Sequence, residues 1–578
     1  MLSPLLSYHS FLPAPPPGSL PCFLQIGKNY PMKGVKPLFI IVRMMKKRTI
    51  HTWILSLCVF VCGLGLVFSV PGSSANGYAL RDISGSYAAE QIADLYEAGI
   101  VSGDENGYYH PARAVTRAEF VAMLNRTLGI RKVAGGIAAY SDVPASSWAY
   151  GDIQAASALG LVNGTSSRSF SAQRSISREE AAAILVRALA DSASTATGPV
   201  PLRDAGSISK WARPAVSQVV QKGWMTGYQG YFRPHDSLTR EETAVLFQRI
   251  YTVLNKQNVS TGERISLGWQ YRSTTEEYIA QVKQSNVNTL SPRWYFLRDD
   301  GSVSDNTDTS LVQWAHKNGK EVWPMFGNRF DAETTHAVLA DAGKRREIVH
   351  TIASYVDRYE LDGINVDFEG FSVRDRDSFT ALIKELNTAL GKFGAVVSVD
   401  IPPDTGTDWS DPFDYKKLAK YADYLVVMAY DQHWSGGPKA GSVSSLPWMS
   451  GVVDDLLQHI PARKLVVGLP FYTREWYTEN GQVKSNDLSL PASRQMVSRH
   501  KGSLWWDQAL GQYVSTYYKK GVKYTVWLED SRSLGLKTKT ALERNVAGFA
   551  YWYLGSESPD VWTAMNNSLA LQQARDKF

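Results

Sequence analysis

Residues 362–369 read Asp-Gly-Ile-Asn-Val-Asp-Phe-Glu, setting Asn365, Asp367 and Glu369 at alternate positions. Ile364, Val366 and Phe368 fill the positions between them, the period-two pattern of a strand with one apolar face. The other face carries an amide and two carboxylates in a row, groups suited to moving protons. Polar groups on the inward face of a buried strand are costly unless they are paired or used. Two readings follow: a satisfied hydrogen-bond ladder, or an active site at the carboxyl end of a barrel strand.

The surrounding chain decides what could position such a strand. From Ile265 onward apolar runs alternate with helical stretches, and eight strand candidates stand out: 265–269, 287–294, 321–326, 363–369, 395–401, 424–430, 465–471 and 546–553. Several are nearly continuous apolar runs, as in Leu425-Val-Val-Met428, expected of parallel strands covered by helices. Eight strand–helix units in about 300 residues fit an α/β class (β/α)₈ TIM barrel, with its site at the carboxyl ends of the strands. The interval 472–535 is too long for a loop and predicts a small α+β insertion after strand seven.

The preceding 170 residues are repetitive. Thr116-Arg117-Ala118-Glu119 recurs as Ser177-Arg178-Glu179-Glu180 and as Thr239-Arg240-Glu241-Glu242. Upstream, Gly99-Ile-Val-Ser-Gly103 matches Gly160-Leu-Val-Asn-Gly164 and Gly223-Trp-Met-Thr-Gly227. Each copy opens with an aspartate, Asp82, Asp142 or Asp204, and then an aromatic-Ala pair. The periodicity predicts three mainly helical units over 80–135, 140–192 and 200–253. In each, a first helix ends at a glycine suited to a left-handed cap. A second starts with a capping box that explains the Thr or Ser and the Glu. The arginine is left without a structural reason.

The N-terminal 75 residues hold seven basic and no acidic side chains. Removing those seven from the 61 basic residues leaves 54 against 55 acidic, a net of −1 in place of the formal +6. Composition therefore gives no case for nucleic acid. Lys46-Lys-Arg48, an apolar run from Trp53 to Val70 and a small-residue end at Ala75 have the order of a secretory signal peptide, 44–75. The alternative is an uncleaved anchor helix. Met44 or Met45 is read as the start, with 1–43 a mis-assigned upstream segment. All three cysteines, Cys22, Cys58 and Cys62, lie in this leader, so the mature chain has no disulfide, thiol nucleophile or cysteine metal site.

The strand at 362–369 resembles the signature of glycoside hydrolase family 18. Tyr424-Leu-Val-Val-Met428-Ala-Tyr430-Asp431, Lys464-Leu-Val-Val-Gly468-Leu-Pro470-Phe-Tyr472 and Gly548-Phe-Ala-Tyr-Trp552 resemble its later strand motifs, over about 264–566. The resemblance implies a barrel enzyme acting on β-1,4-linked N-acetylglucosamine polymers, one of the substrate-assisted exceptions among retaining glycosidases. It implies Glu369 as general acid and then base, and Asp367 as partner of the substrate acetamido N–H. Tyr430 would orient the acetamido oxygen, and Trp552 would stack beneath the sugar. Asn365, Met428 and Asp431 complete the implied substrate contacts. Such chemistry requires no cofactor, and no metal or nucleotide motif is present. One departure stands out: most chitinases of the family carry Asp where this chain has Asn365, which cannot accept a proton. The Asn form resembles the branch with spore cortex-lytic and peptidoglycan-cleaving members.

The three repeats resemble S-layer homology modules. That resemblance implies contacts from Arg117, Arg178 and Arg240 to an acidic secondary cell-wall polymer. The second copy departs from the others at Phe170-Ser171, lacking the proline that follows in Tyr109-His110-Pro111 and Phe232-Arg233-Pro234. The expectation is a secreted glycosidase on the wall of a Gram-positive-type bacterium, cutting N-acetylglucosaminyl linkages in peptidoglycan. No stable membrane insertion is expected after signal cleavage. A chitinase, a non-catalytic sugar-binding surface protein and a structural S-layer subunit are the alternatives. Asp299-Asp300 reads as a turn, Glu529-Asp530 as a rim pair or salt bridge. Trp269, Trp294, Trp323, Trp434 and Trp476 are core by default, with sugar stacking open to some.

Overall fold

A computed structural model of the chain describes residues 80–190, 201–256 and 263–578. The leader, both 1–43 and the signal segment, lies outside the described residues.

The repeats are three helix pairs: Ala89–Glu97 with Arg117–Thr127, Tyr150–Ala158 with Arg178–Leu189, and Arg213–Gln221 with Arg240–Lys256. Gly99, Gly160 and Gly223 hold φ of +69°, +65° and +69°, closing each first helix in the left-handed region. Thr116 with Glu119, Ser177 with Glu180, and Thr239 with Glu242 form reciprocal capping boxes. Asp82, Asp142 and Asp204 each accept two successive backbone N–H groups from the end of their own repeat's loop.

The arginine for which the capping box gave no reason has one here. Arg117 donates to the carbonyls of Asn163 and Phe170 and to Glu180, all in the second repeat. Arg178 makes the same contacts in the third repeat, to Thr226, Phe232 and Glu242. Arg240 returns to the first, to Ser102, Tyr109 and Glu119. Each guanidinium also lies over an aromatic ring, Phe170, Phe232 or Tyr109, at 4.7, 5.2 and 4.2 Å from the centroid. The repeats thus close into a ring.

The C-terminal portion contains β1 (Ile265–Trp269), β2 (Thr289–Ser291), β3 (Tyr295–Phe296), β4 (Glu321–Val322), β5 (Met325–Gly327), β6 (Gly363–Asp367), β7 (Val396–Ile401), β8 (Tyr424–Met428) and β9 (Leu465–Pro470). An insertion follows with β10 (Tyr472–Glu479), β11 (Gln482–Ser489), β12 (Ser503–Asp507), β13 (Gln512–Lys519) and β14 (Val522–Leu528). The last strand is β15 (Gly548–Trp552). The large sheet runs β3-β5-β6-β7-β8-β9-β15-β1-β2-β4, parallel throughout. Since β2 pairs with β4 and β3 with β5, the ten strands are eight staves closed into a barrel. The second and third staves are split at Pro292 and near Pro324, residues that lack the N–H a ladder needs. That is why the long candidates 287–294 and 321–326 each become two short strands.

Inside the barrel Leu267, Trp269, Trp323, Met325, Val426, Val466 and Ala550 pack together. Ile364, Val366 and Phe368 point the other way, into the larger core under the helices. The insertion is a five-stranded antiparallel sheet, β11-β10-β14-β13-β12, with the helix Leu490–Arg499. At its base Glu529 and Lys537 form a fully buried pair at 2.5 Å, and Ser533 and Gln512 donate to the same carboxylate. Asp530 caps the helix Ser531–Leu542. So this acidic dipeptide is structural.

The barrel and the repeats share a core. Ala564, Leu571 and Ala574 of the C-terminal helix Pro559–Arg575 belong to the repeats' hydrophobic cluster. Arg575 reaches the carbonyls of Arg187 and Ala188, and Asn567 exchanges two hydrogen bonds with the backbone of Arg131. The two regions are docked, not strung on a linker.

Candidate active site

The register of the parallel strands sets the site. Asn365 lies opposite Met325 on β5 and Ser398 on β7, and Asp367 lies opposite Gly327. Asn365 is wholly buried and fully bonded. Its oxygen accepts from the Trp269 indole at 2.8 Å and the Ser291 hydroxyl at 3.1 Å. Its amide donates to Ser398 at 3.1 Å and to the carboxylate of Asp400 at 2.8 Å. With two donors fixed on one side, the amide has only one orientation that satisfies all four contacts.

Asp367, one pleat pair on, is different. Its Oδ1 is buried with no hydrogen-bond partner. Burial raises its carboxyl to about 6, and Arg293 opposes the rise. Glu369 lies beyond the strand end, held by its backbone: its N–H donates to the Asn328 side chain at 2.9 Å and its carbonyl accepts from the same amide at 2.8 Å. Burial pushes the Glu369 carboxyl well above the usual range, and the charges of Asp367 and Asp431 add to it. A carboxyl shifted in that direction favours the protonated form, the form that can give a proton to a leaving group.

These groups open into a cleft of about 370 Å³. Met428 and Tyr430, at and just beyond the end of β8, and Trp552, at the end of β15, line it. Burial raises the Tyr430 phenol well above its ordinary value, with Asp400 the next cause. The phenol therefore stays a hydrogen-bond donor. Asp431 takes a left-handed backbone, φ +61°, and accepts from Arg474 at 2.6 Å and from the Tyr472 hydroxyl. Trp552 meets Trp269 edge-on at 5.8 Å and Tyr271 at 5.4 Å. The structure therefore brings Asn365, Asp367, Glu369, Met428, Tyr430, Asp431 and Trp552 to one place. Arg117, Arg178 and Arg240 lie apart, at the repeat boundaries.

Residue-type reasoning missed several members. Asp400 is a third buried carboxyl in the cleft, pushed up by burial and then by Asp367. A lone Asp in Val396-Val-Ser-Val-Asp400-Ile401 was visible as a charge in an apolar strand, and that was the available signal. Asn328 and Arg474 gave none. Of the five tryptophans, Trp294, Trp323 and Trp476 are core and Trp269 is buried at the cleft, bonded to Asn365. Trp434 alone is exposed. Asp300 sits in the expected turn, with Gly301 at φ +82°.

The model for glycosyl hydrolases family 18 matches residues 255–557, more than half of the chain. The chain belongs to this family. The S-layer homology model matches three times, at 79–121, 139–182 and 201–244. Among curated proteins, the uncharacterized glycosylase YvbX of Bacillus subtilis (strain 168) is 26% identical over 294 residues, 48% of this chain and 84% of that protein. The cortical fragment-lytic enzyme of Bacillus anthracis is 25% identical over 304 residues, 49% and 70% of the two chains. Among solved structures, a chitinase from Chromobacterium violaceum is 23% identical with a TM-score of 0.49, covering 53% of this chain and 99% of that one. As a family 18 protein, the chain is a glycoside hydrolase. Among the described residues no group of His, Cys, Asp and Glu could hold a metal ion, and no helix is long and apolar enough to cross a membrane.

Proposed function

We propose that the protein is a cell-wall-attached retaining glycosidase that cleaves β-1,4 N-acetylglucosaminyl linkages of peptidoglycan. The observation that carries the chemistry is the buried Glu369 at the strand end beyond Asp367, whose own buried Oδ1 has no partner; burial and the neighbouring charges push Glu369 toward its protonated form. Trp552 stacks beneath the sugar and Tyr430 directs the acetamido oxygen at the anomeric carbon. That oxygen attacks, the bond to the leaving sugar breaks, and Glu369 gives its proton to the departing oxygen. Asp367 accepts from the acetamido N–H and offsets the charge of the oxazolinium ring. Water then adds at the anomeric carbon and loses its proton to Glu369 as the bond from that carbon to the acetamido oxygen breaks, which restores both the acetamido group and the acid. Asn365 holds Asp400 in place, and burial pushes the Asp400 carboxyl up.

Support for peptidoglycan comes from the cortical fragment-lytic relative and from the repeats. We assign the repeats to an acidic wall polymer. A groove of about 440 Å³ is lined by Arg178, Arg233, Arg249 and Tyr87; Glu242 pairs with the first two, so Arg249 offers the charge and the ring a stacking face. Arg117 and Arg240 occupy the equivalent positions in the ring. The assay is residues 76–578, wild type and Glu369→Gln, on purified peptidoglycan and on chitin oligosaccharides, with mass spectrometry of the reducing ends. Muropeptides ending in N-acetylglucosamine from wild type alone are the expected result. Release from chitin alone makes it a chitinase, and binding without cleavage of either makes it a carbohydrate-binding protein.

A further inference from the structure

Beyond Arg272 in its lining, the rim of the cleft carries charge that the reaction just described uses only in part, through Arg293, which opposes the rise at Asp367 and Glu369. Tyr271 packs against Trp552 at 5.4 Å. Arg272 lies over Tyr271 at 4.9 Å, and Arg293 lies over it at 5.2 Å. Arg293 also lies over Phe296 at 5.4 Å, and Arg329 lies over Phe296 at 4.8 Å. The result is a ladder of three guanidiniums and two rings running outward from the sugar-stacking tryptophan. None of the three arginines has a carboxylate within ion-pair distance among the described residues, and Arg272 and Arg329 make no side-chain hydrogen bond there. Both are exposed, and both hold positive φ, +54° and +56°. Left-handed backbone is unfavourable for a side chain of this kind, so the loops that carry them fix it at a cost. Another arginine of the cleft lining is balanced instead, Arg474 being paired with Asp431 and Asp487.

A guanidinium stacked on a ring still presents its N–H edge, the geometry that pairs a carboxylate bidentately. A neutral glycan has no group for three such edges. A glycan whose alternate sugars bear acidic lactyl or peptide substituents has one beside every scissile N-acetylglucosamine. Building on the peptidoglycan reading, we infer that Arg272, Arg293 and Arg329 form a subsite for carboxylates on the sugars flanking the one stacked on Trp552. The ladder selects acidic glycan over chitin.

The test uses glycan strands freed of peptide, with lactyl carboxylates intact, and the same strands with those carboxylates converted to amides. Wild type should cleave the acidic strands with kcat/KM about tenfold higher, as expected for a charged hydrogen bond. That preference should shrink as salt screens exposed charge. Arg329→Gln should lower the ratio, and Arg272→Gln/Arg329→Gln should lower it further, to what Arg293 alone supports, through KM and with melting temperatures unchanged. Equal cleavage of both strands by wild type, or a preference that the double substitution leaves undiminished, overturns the inference. If wild type cuts N-acetylglucosamine oligomers but neither strand, the peptidoglycan reading itself fails and this inference falls with it.

Discussion

The repeats and the barrel both bury charge, and they treat it oppositely. Arg117, Arg178 and Arg240 are 4%, 5% and 8% exposed, yet each finds two carbonyls, a carboxylate and an aromatic face in the next repeat. Asp367, Glu369 and Asp400 share one cleft in which carboxyl crowds carboxyl, and Asp367 has an oxygen with no partner at all. A buried charge that is fully compensated holds an architecture together. One that is left uncompensated shifts its proton equilibrium and becomes available for chemistry.

The largest expected effect tests the second half of that contrast. Glu369→Gln keeps the backbone bonds to Asn328 but cannot give up a proton. Turnover should fall by about 10²–10⁴-fold, the usual worth of a general acid. Its melting temperature should match or exceed wild type, because a carboxyl held against its preference is gone. A large loss of stability would instead mark Glu369 as a structural residue.

Next is the compensated side. Arg178→Ala removes one guanidinium and leaves the carbonyls of Thr226 and Phe232 and the Glu242 carboxylate short of a donor. Breaking a buried pair from one side costs about 3 kcal/mol or more. Calorimetry should show the loss, while turnover on a soluble oligosaccharide stays near wild type. Unchanged stability would remove the arginine from the architecture.

Legibility follows the same division. The alternation around Asn365, Asp367 and Glu369 could be read directly because period two is a local property of a strand. The eight staves and the insertion followed from local runs; the prolines at 292 and 324 split two of the strands, and others are one or two residues shorter than expected, the central one ending at Asp367. The partner of Asn365 could not be read, since Asp400 reaches it across a strand pairing that brings together residues 35 apart. The ring of arginines closes over still longer separations, up to 138 residues between Arg240 and Ser102. The ladder from Arg272 to Arg329 likewise depends on which loops meet at the barrel mouth. Motif reasoning assigns residue types to a chemistry; only packing shows which charges have been answered.

A smaller effect sharpens the cleft side. Asp400→Asn keeps an acceptor for Asn365 and removes an ionisable group. The folded-state affinity of Asp400 for its proton is raised by burial and by Asp367 and Glu369. Its contribution to stability is therefore present below the unfolded value, about 3.9, and is lost as pH rises through the folded value. The variant should melt near wild type at pH 4 and above it at pH 8, with the gap growing between. A gap that narrows with pH would mean that the carboxylate is compensated after all.

The smallest expected effect separates two roles within one repeat motif. Thr116 accepts the N–H of Glu119 at 3.2 Å, and Glu119 returns a bond to the Thr116 backbone. Thr116→Ala removes the first of these and should cost about 1 kcal/mol, typical for an N-cap. Ser177→Ala should cost the same, since the second repeat has the same box. Both caps act within a single helix, whereas the neighbouring arginine ties one repeat to the next. Chemical denaturation of these variants beside Arg178→Ala should therefore separate a local loss from a larger one between repeats. If the cap and arginine losses are equal, the arginine contributes no more than a helix terminus, and the ring of repeats is held by its apolar core alone.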